Sequence, residues 1–322
     1  MSGFLSVFKN NFRRYRAMPG PVVLMMGFLA ASVALATLFG PNAGSLGNVA
    51  LVGETGSLIA DIPGYNVTLV GEEPPISDMM LGRYDAVVVE GTNGVFTVKT
   101  LKSRDLEEEL RTAIENPGLA GRENEGRGSG ANILGYLILV ILLQGIMFTG
   151  LYSEDRGSGA LKRIASTPSG SGAYLLAHGA SGFILIFSSA FLVIFAAKFF
   201  FRLDVGFSLA EYAGYLSILT LGSVAFALFV ATIAQKPDDA SAMGSSVVLL
   251  TTILAGSYHD FSSSRPVLDA LLNVLPQKSF LNLVESANPL HTMPELIYLL
   301  AAPVLLIALS AFLTKRKLET GA

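Results

Sequence analysis

Residues 132–168 read NILGYLILVILLQGIMFTGLYSEDRGSGALKRIASTP. The part up to Tyr152 is uncharged and, as a helix, long enough to cross the ~30 Å hydrocarbon core of a bilayer. The part from Ser153 to Pro168 is its opposite: two acids, three bases, two glycines and a closing proline in one short stretch. A second apolar run begins at Ala173. Charged groups are costly inside a bilayer, so the polar stretch must turn at a membrane face between two spanning helices. How often that alternation recurs decides the fold class.

Outward from this stretch, apolar runs recur at about 22–39, 173–201, 212–234, 240–258 and 295–313. The chain of 322 residues is 51% hydrophobic and 15% charged, with mean hydropathy +0.54, where a soluble domain carries about 25% charged residues. The expectation is a mainly α-helical polytopic membrane protein with six transmembrane helices and a small extracytoplasmic α/β domain between the first and second. A net charge of −3 gives nucleic acid no footing. With no cysteine, disulfides and thiol chemistry are excluded. Trp is absent too, so interface anchoring falls to Tyr, Phe, Lys and Arg.

In chain order, residues 1–19 place Phe4, Leu5, Phe8, Phe12 and Tyr15 at near-helical spacing among Lys9, Arg13, Arg14 and Arg16. That pattern fits an amphipathic helix on an anionic membrane surface, or simply a basic flank. Residues 20–40 form the first transmembrane helix. Ala34-Leu35-Ala36 resembles a signal-peptidase site, but the apolar run is longer than a usual signal core and favours an uncleaved helix. Residues 41–131 are an extracytoplasmic α/β domain and linker. Strands are expected at 48–52, 66–70, 86–89 and 95–99, the last two joined across Asn93-Gly94. Short helices are expected at 57–62 and 76–81, and a helix at 105–115 with Asp105 as its N-cap. A Gly-, Arg- and Glu-rich linker covers 118–130. Residues 132–322 hold helices two to six, with a loop at 153–172 and an apolar but short-pieced segment at 259–293. Those pieces read as re-entrant or as a surface-lying loop.

Orientation follows from basic residues in short loops. Lys9, Arg13, Arg14, Arg16, Arg156, Lys162, Arg163, Lys236, Lys315, Arg316 and Lys317 fall on one side. Only Lys198, Arg202, Arg265 and Lys278 fall on the other. Both termini and the 153–172 loop are therefore expected in the cytoplasm, and the protein in the cytoplasmic membrane.

Catalytic motifs are missing. There is no G-x-x-x-x-G-K-[ST] to cradle phosphates, no H-E-x-x-H and no G-x-S-x-G. His178, His259 and His291 have no ligand-like spacing, and Glu54 and Asp61 read as solvated. Within the spans, Gln144 and His178 are the nearest to functional polar groups, and pairing with a neighbouring helix explains them. Any transport must draw energy from elsewhere. In the loop, residues 155–165 are expected to form a short helix, with Leu161 and Ile164 on one face and Arg156, Lys162 and Arg163 flanking. Pro168 ends it. Spacing alone leaves two readings open, a docking helix or a plain elbow.

The loop resembles the ABC-2 family of ABC exporter permeases, whose E-x-x-x-G-T-L-x-R-L-x-x-x-P pattern follows the second span. Asp155, Gly159, Leu161, Arg163, Ile164 and Pro168 fall on it, with Glu154 one residue before. Ala160 stands where Thr is usual, and His178-Gly179 where Gly-Lys is often found. The layout matches as well, including Leu275-Pro-Gln-Lys278 in the late segment, and is similar to the multidrug and antibiotic-resistance branch. The resemblance implies a transport subunit and no enzyme. A separate ATP-binding subunit carrying ATP and Mg would dock under Glu154–Pro168. A second permease, identical or related, would pack across the first and fifth spans, where Ala240, Ser241, Gly244 and Ser245 permit close approach. Packing within one chain explains those small residues equally well. The cargo would be lipophilic: a drug, an antibiotic or a lipid-like molecule. A membrane-anchored extracytoplasmic sensor is the alternative.

Overall fold

The computed structural model describes residues 2–43, 47–52, 65–80, 83–90, 96–100, 104–115, 128–165, 170–203, 205–257, 272–286 and 292–320. The expected helix at 57–62, the Asn93-Gly94 turn, residues 118–127 of the linker, Pro168, His259, His291, Glu54 and Asp61 lie outside them. In order, the elements are α1 (Ser2–Ala17), α2 (Pro19–Ala43), β1 (Gly47–Val52), β2 (Tyr65–Val70), α3 (Ile76–Met80), β3 (Ala86–Glu90), β4 (Phe96–Thr100) and α4 (Arg104–Glu115). There follow α5 (Ser129–Phe148), α6 (Gly150–Gly157), α7 (Ala160–Ala165), α8 (Gly170–Phe199), α9 (Leu209–Ile233), α10 (Pro237–Leu254), α11 (Pro276–Glu285) and α12 (Met293–Thr320). Two compact units result, 1–38 with 129–322, and 39–128.

The first unit is a helical bundle. Among the described residues five helices are long and apolar enough to cross a membrane: Pro19–Leu38, Ser129–Gly157, Gly170–Phe199, Leu209–Ile233 and Met293–Glu319. The sixth expected span, at 240–258, is not among these five. That run lies in α10, an 18-residue helix that opens on Pro237-Asp238-Asp239 and carries Ser241, Ser245, Ser246, Thr251 and Thr252. These groups lower its apolarity below that of the other five. The segment at 272–286 yields α11, ten residues long and thus only ~15 Å, too short to span. Its Phe280, Leu281, Leu283 and Val284 join the bundle core.

Close helix approach depends on small residues. A Cβ on Gly145 of α5 would stand 2.2 Å from Ser223 Oγ and 2.8 Å from the Ser223 backbone oxygen of α9. Ser223 Oγ in turn donates to the Ile141 carbonyl at 2.7 Å. Gly145→Ala must push the two helices apart and is expected to lower stability by roughly 1–3 kcal/mol, read as thermal unfolding of the purified chain in detergent. Gly222→Ala, next to Ser223 but with no atom within 4 Å of the new Cβ, is the control and should leave the transition in place. At the end of the bundle opposite the 153–157 turn, the loop between α8 and α9 folds over the start of α5. Gly206, at φ 74°, lies against Gly130, where a Cβ would meet the Gly130 nitrogen at 2.4 Å. Ser208 caps α9 in a reciprocal pair with Glu211: Ser208 N donates to Glu211 Oε2 at 2.8 Å and Glu211 N to Ser208 Oγ at 3.3 Å.

The second unit is a four-stranded sheet in the order β2-β1-β3-β4. β2, β1 and β3 are parallel, and β4 is an antiparallel edge strand paired Val88↔Val98 with β3. Val49, Leu51, Tyr65, Ala86, Val88 and Val98 share a core with Leu110 and Ile114 of α4. Ala86, Val87 and Val88 are all fully buried, as continuous apolar runs are in parallel strands covered on both faces. The helix at 104–115 begins at Arg104, so Asp105 sits inside the first turn and is not the N-cap.

Candidate functional site

α6 carries the α5 span one step further past Thr149, whose hydroxyl donates to the carbonyls of Gly145 and Ile146 at 3.1 and 2.9 Å. Its last turn holds Glu154, Asp155 and Arg156 in succession. Successive helical residues point about 100° apart, so three charges leave this turn in different directions.

Asp155 faces α1 and α8. Arg14 Nη1 donates to both Asp155 carboxylate oxygens at 2.9 Å, and Nη2 to Glu154 Oε2 at 3.1 Å. The Tyr174 hydroxyl donates to Asp155 Oδ2, and His178 Nε2 lies 3.5 Å from the same oxygen. Tyr174 and His178, one turn apart on α8, present one face. A turn beyond, Ser181 Oγ accepts from Asn11 Nδ2 at 3.0 Å. α1 is thereby laid along α8, with Asn11 and Tyr15 buried and the Tyr15 ring edge-on to Phe148 at 5.1 Å. Burial pushes the Tyr15 phenol up to about 12, so it stays neutral.

Arg156 faces the other way, to the end of α9. Nη1 donates to the carbonyls of Ala231 and Thr232 at 2.7 and 2.8 Å, and Nη2 to those of Ala234 and, at 3.1 Å, Gln235. The last carbonyls of a helix have no partner within it, and a cation there also meets the negative end of the helix dipole. Lys317 of α12 joins from the far side, Nζ donating to Thr232 O at 2.8 Å. The Tyr152 hydroxyl lies 2.9 Å from Thr314 Oγ1 and 3.4 Å from Thr232 Oγ1. One helical turn thus ties α1, α8 and α9 together, with α12 held to the same carbonyls. We refer to this cluster as the latch.

The other expected loop residues divide. Gly159, at φ 73°, splits the expected 155–165 helix in two, because a left-handed residue cannot continue an α-helix. Leu161 is buried in the bundle core, and Arg163 is exposed. Ile164 lies in α7, with its side chain outside the described residues. The four seam residues also divide. Ala240 packs with Val230 and Ala234 of the same chain, and a Cβ on Gly244 would strike Ile146 Cδ1 of α5 at 2.4 Å. That pair belongs to packing within the chain, whereas Ser241 is exposed and Ser245 partly so. Gln144 Nε2 reaches the Met25 carbonyl of α2 at 3.4 Å.

A cavity of about 230 Å³ lies between α5, α9, α10, α11 and α12, walled by apolar side chains such as Leu142, Phe226, Val248, Phe280 and Leu306. Gln277 and Thr251 are its polar contributors, Gln277 Nε2 donating to Thr251 Oγ1 at 2.7 Å. Among the described residues no three His, Cys, Asp or Glu side chains could hold a metal ion.

Sequence reasoning missed Arg14, Tyr174 and Lys317 as site residues and read His178 only as a span residue. The polar 174, 178, 181 spacing within an apolar run was the available signal for α8.

Fold and latch together define a multi-pass membrane protein whose spanning helices are gathered at one face by a charged elbow. The chain belongs to the ABC-2 type transporter family: the family's model matches residues 116–287, more than half of its length. The match includes the elbow and α8 to α11. No curated protein and no solved structure matches it significantly. Membership makes the chain a membrane permease of an ABC transporter.

Proposed function

We propose that the chain is the membrane-spanning subunit of an ATP-driven exporter, moved by a separate subunit that holds ATP and Mg and docks beneath the elbow. The observation that carries this reading is the latch. A push on α6 reaches α1 and α8 through Asp155 and α9 through Arg156, so one contact can move several walls of a pathway. The outer face of the elbow offers Gly157, Ser158 and Arg163, all exposed, as the docking surface. Asp155 acts inward, as the grip, with Glu154 at its exposed edge.

In this reading the membrane is crossed six times, α10 being the fifth crossing. In support, α10 starts beside the latch at Lys236 and climbs to Gln277, antiparallel to α9. Arg14 and Lys317 both lie at the latch, which supports placing both termini on its side, the cytoplasm by the distribution of bases. The sheet unit is then extracytoplasmic, and the membrane is the cytoplasmic one. Two permeases form the pathway, identical or related, with α2 and the outward Ser241–Ser245 face of α10 at the seam. A lipophilic cargo, drug- or lipid-like, is favoured by the apolar 230 Å³ cavity.

The test is the double variant Gly159→Ala, Arg163→Ala, co-reconstituted with the ATP-binding subunit. Alanine at φ 73° is strained by about 1–2 kcal/mol and Arg163 loses its exposed charge. Export is expected to fall tenfold or more while ATP turnover remains. Undiminished export would remove the elbow from the mechanism.

A further inference from the structure

Beside the latch, between the end of α6, the C-terminus of α9 and α12, lies a second cavity of about 480 Å³. The geometry points to it as a binding site for a phosphate anion, carried by the headgroup of an anionic phospholipid.

The argument starts from charge. Arg156 Nη1 and Lys317 Nζ each lie 2.8 Å from the same oxygen, the Thr232 carbonyl. The two cationic nitrogens are therefore no farther apart than twice that distance. Among the described residues neither is paired with a carboxylate. Glu154 and Asp155 are taken by Arg14, and Glu319 lies 3.9 Å from Lys315. The α9 carbonyls between them supply only about half an elementary charge of helix dipole. Two full positive charges thus share one wall with a fraction of one negative charge, and both side chains line the cavity.

The rest of the lining fits a headgroup better than a free ion. Tyr152, Thr232 and Thr314 bring hydroxyls, Gln235 an amide, and Leu161 and Leu318 apolar surface. The volume is that of roughly sixteen waters at ~30 Å³ each, more than one bare phosphate fills. The cavity sits at the ends of two spanning helices, α9 and α12, where a bilayer presents its phosphates. Basic pockets between helices at a membrane face take anionic headgroups on these terms. A bound phosphate would offset the repulsion between Arg156 and Lys317. The proposal rests on the membrane reading of α9 and α12 and not on the coupling role of the elbow, so either can fail without the other.

The experiment uses the full chain purified in neutral detergent and titrated with phosphatidylglycerol, with phosphatidylcholine, or with inorganic phosphate, reading the unfolding temperature. Lys317→Gln is compared with Lys315→Gln, two residues away on a side chain that is 73% exposed. Phosphatidylglycerol is expected to raise the transition of the wild type and of Lys315→Gln by about 4 °C beyond phosphatidylcholine. In Lys317→Gln that gain falls by half or more. Native mass spectra supply a readout independent of stability: a phosphatidylglycerol adduct on the wild type, lost in Lys317→Gln. Equal responses of the two variants mean general surface charge and overturn the site. A full shift from millimolar inorganic phosphate alone overturns the lipid assignment.

Discussion

Asp155→Ala is expected to give a folded permease that no longer exports. In proteoliposomes with the ATP-binding subunit proposed above, cargo transport should fall tenfold or more while ATP turnover persists. The reason is the density of bonds on one carboxylate. Its side chain is only 18% exposed, and it takes both bonds from Arg14 Nη1 as well as the Tyr174 hydroxyl. Without it Arg14 keeps Glu154, which is 58% exposed and so contributes little. Tyr174, its ring packed against His178 at 4.6 Å, loses its acceptor. Charge-assisted bonds of this kind contribute about 1.5–3 kcal/mol each. A coupling of ~1.4 kcal/mol already corresponds to a factor of ten.

The decisive comparison is a double-mutant cycle between Arg14→Ala and Asp155→Ala. An interaction of roughly 1–3 kcal/mol in stability, together with non-additive loss of export, identifies the contact between α1 and α6 as the transmitting element. Asp155→Asn separates charge from shape, since it still accepts from Tyr174 but no longer attracts Arg14. Wild-type export from Asp155→Ala would mean that force passes straight up α5 and α8, with the latch merely structural.

The spans and the sheet were legible because burial leaves a periodic mark. The apolar runs at 132–152, 173–201 and 212–234 had nowhere else to go, and Val87, Val88 and Val98 announce strands by their branched side chains. α10 is less plainly marked because its first half is polar: Asp238 and Asp239 favour its N-terminus yet dilute the apolar signal on which a span is recognised. The latch was half legible. A turn crowded with Glu154, Asp155, Arg156 and Gly159 between two spans had to sit at a membrane face. Its partners were hidden because they are 141 residues away, as Arg14 is from Asp155, or are backbone carbonyls, which every residue has and no sequence distinguishes. The same limit explains the small-residue stripe of α10. Ala240 and Gly244 mark a close approach correctly, but only the fold says that the neighbour of Gly244 is Ile146 of the same chain.

Arg156→Met should bring the largest loss of stability of any change in the elbow. Methionine keeps most of the side chain's length and apolar surface, so the loss isolates the guanidinium. That group spreads both of its terminal nitrogens over four carbonyls, those of Ala231, Thr232, Ala234 and Gln235. Their removal leaves Ala231 and Ala234 with no replacement donor among the described residues, whereas Thr232 retains Lys317 at 2.8 Å. Water in the adjoining 480 Å³ cavity re-satisfies part of the rest. A net loss of about 2–4 kcal/mol follows, measured as thermal unfolding in detergent, with faster hydrogen exchange confined at first to the last turn of α9. Arg156→Lys is the informative second variant. It restores the charge opposite the helix dipole but, as a point donor without a planar fork, cannot span four carbonyls. Recovery of less than half the loss assigns the effect to the fork; full recovery assigns it to charge alone. A methionine variant as stable as the wild type would show that α9 is held by its packing against α5 and α12, and that Arg156 only decorates its end.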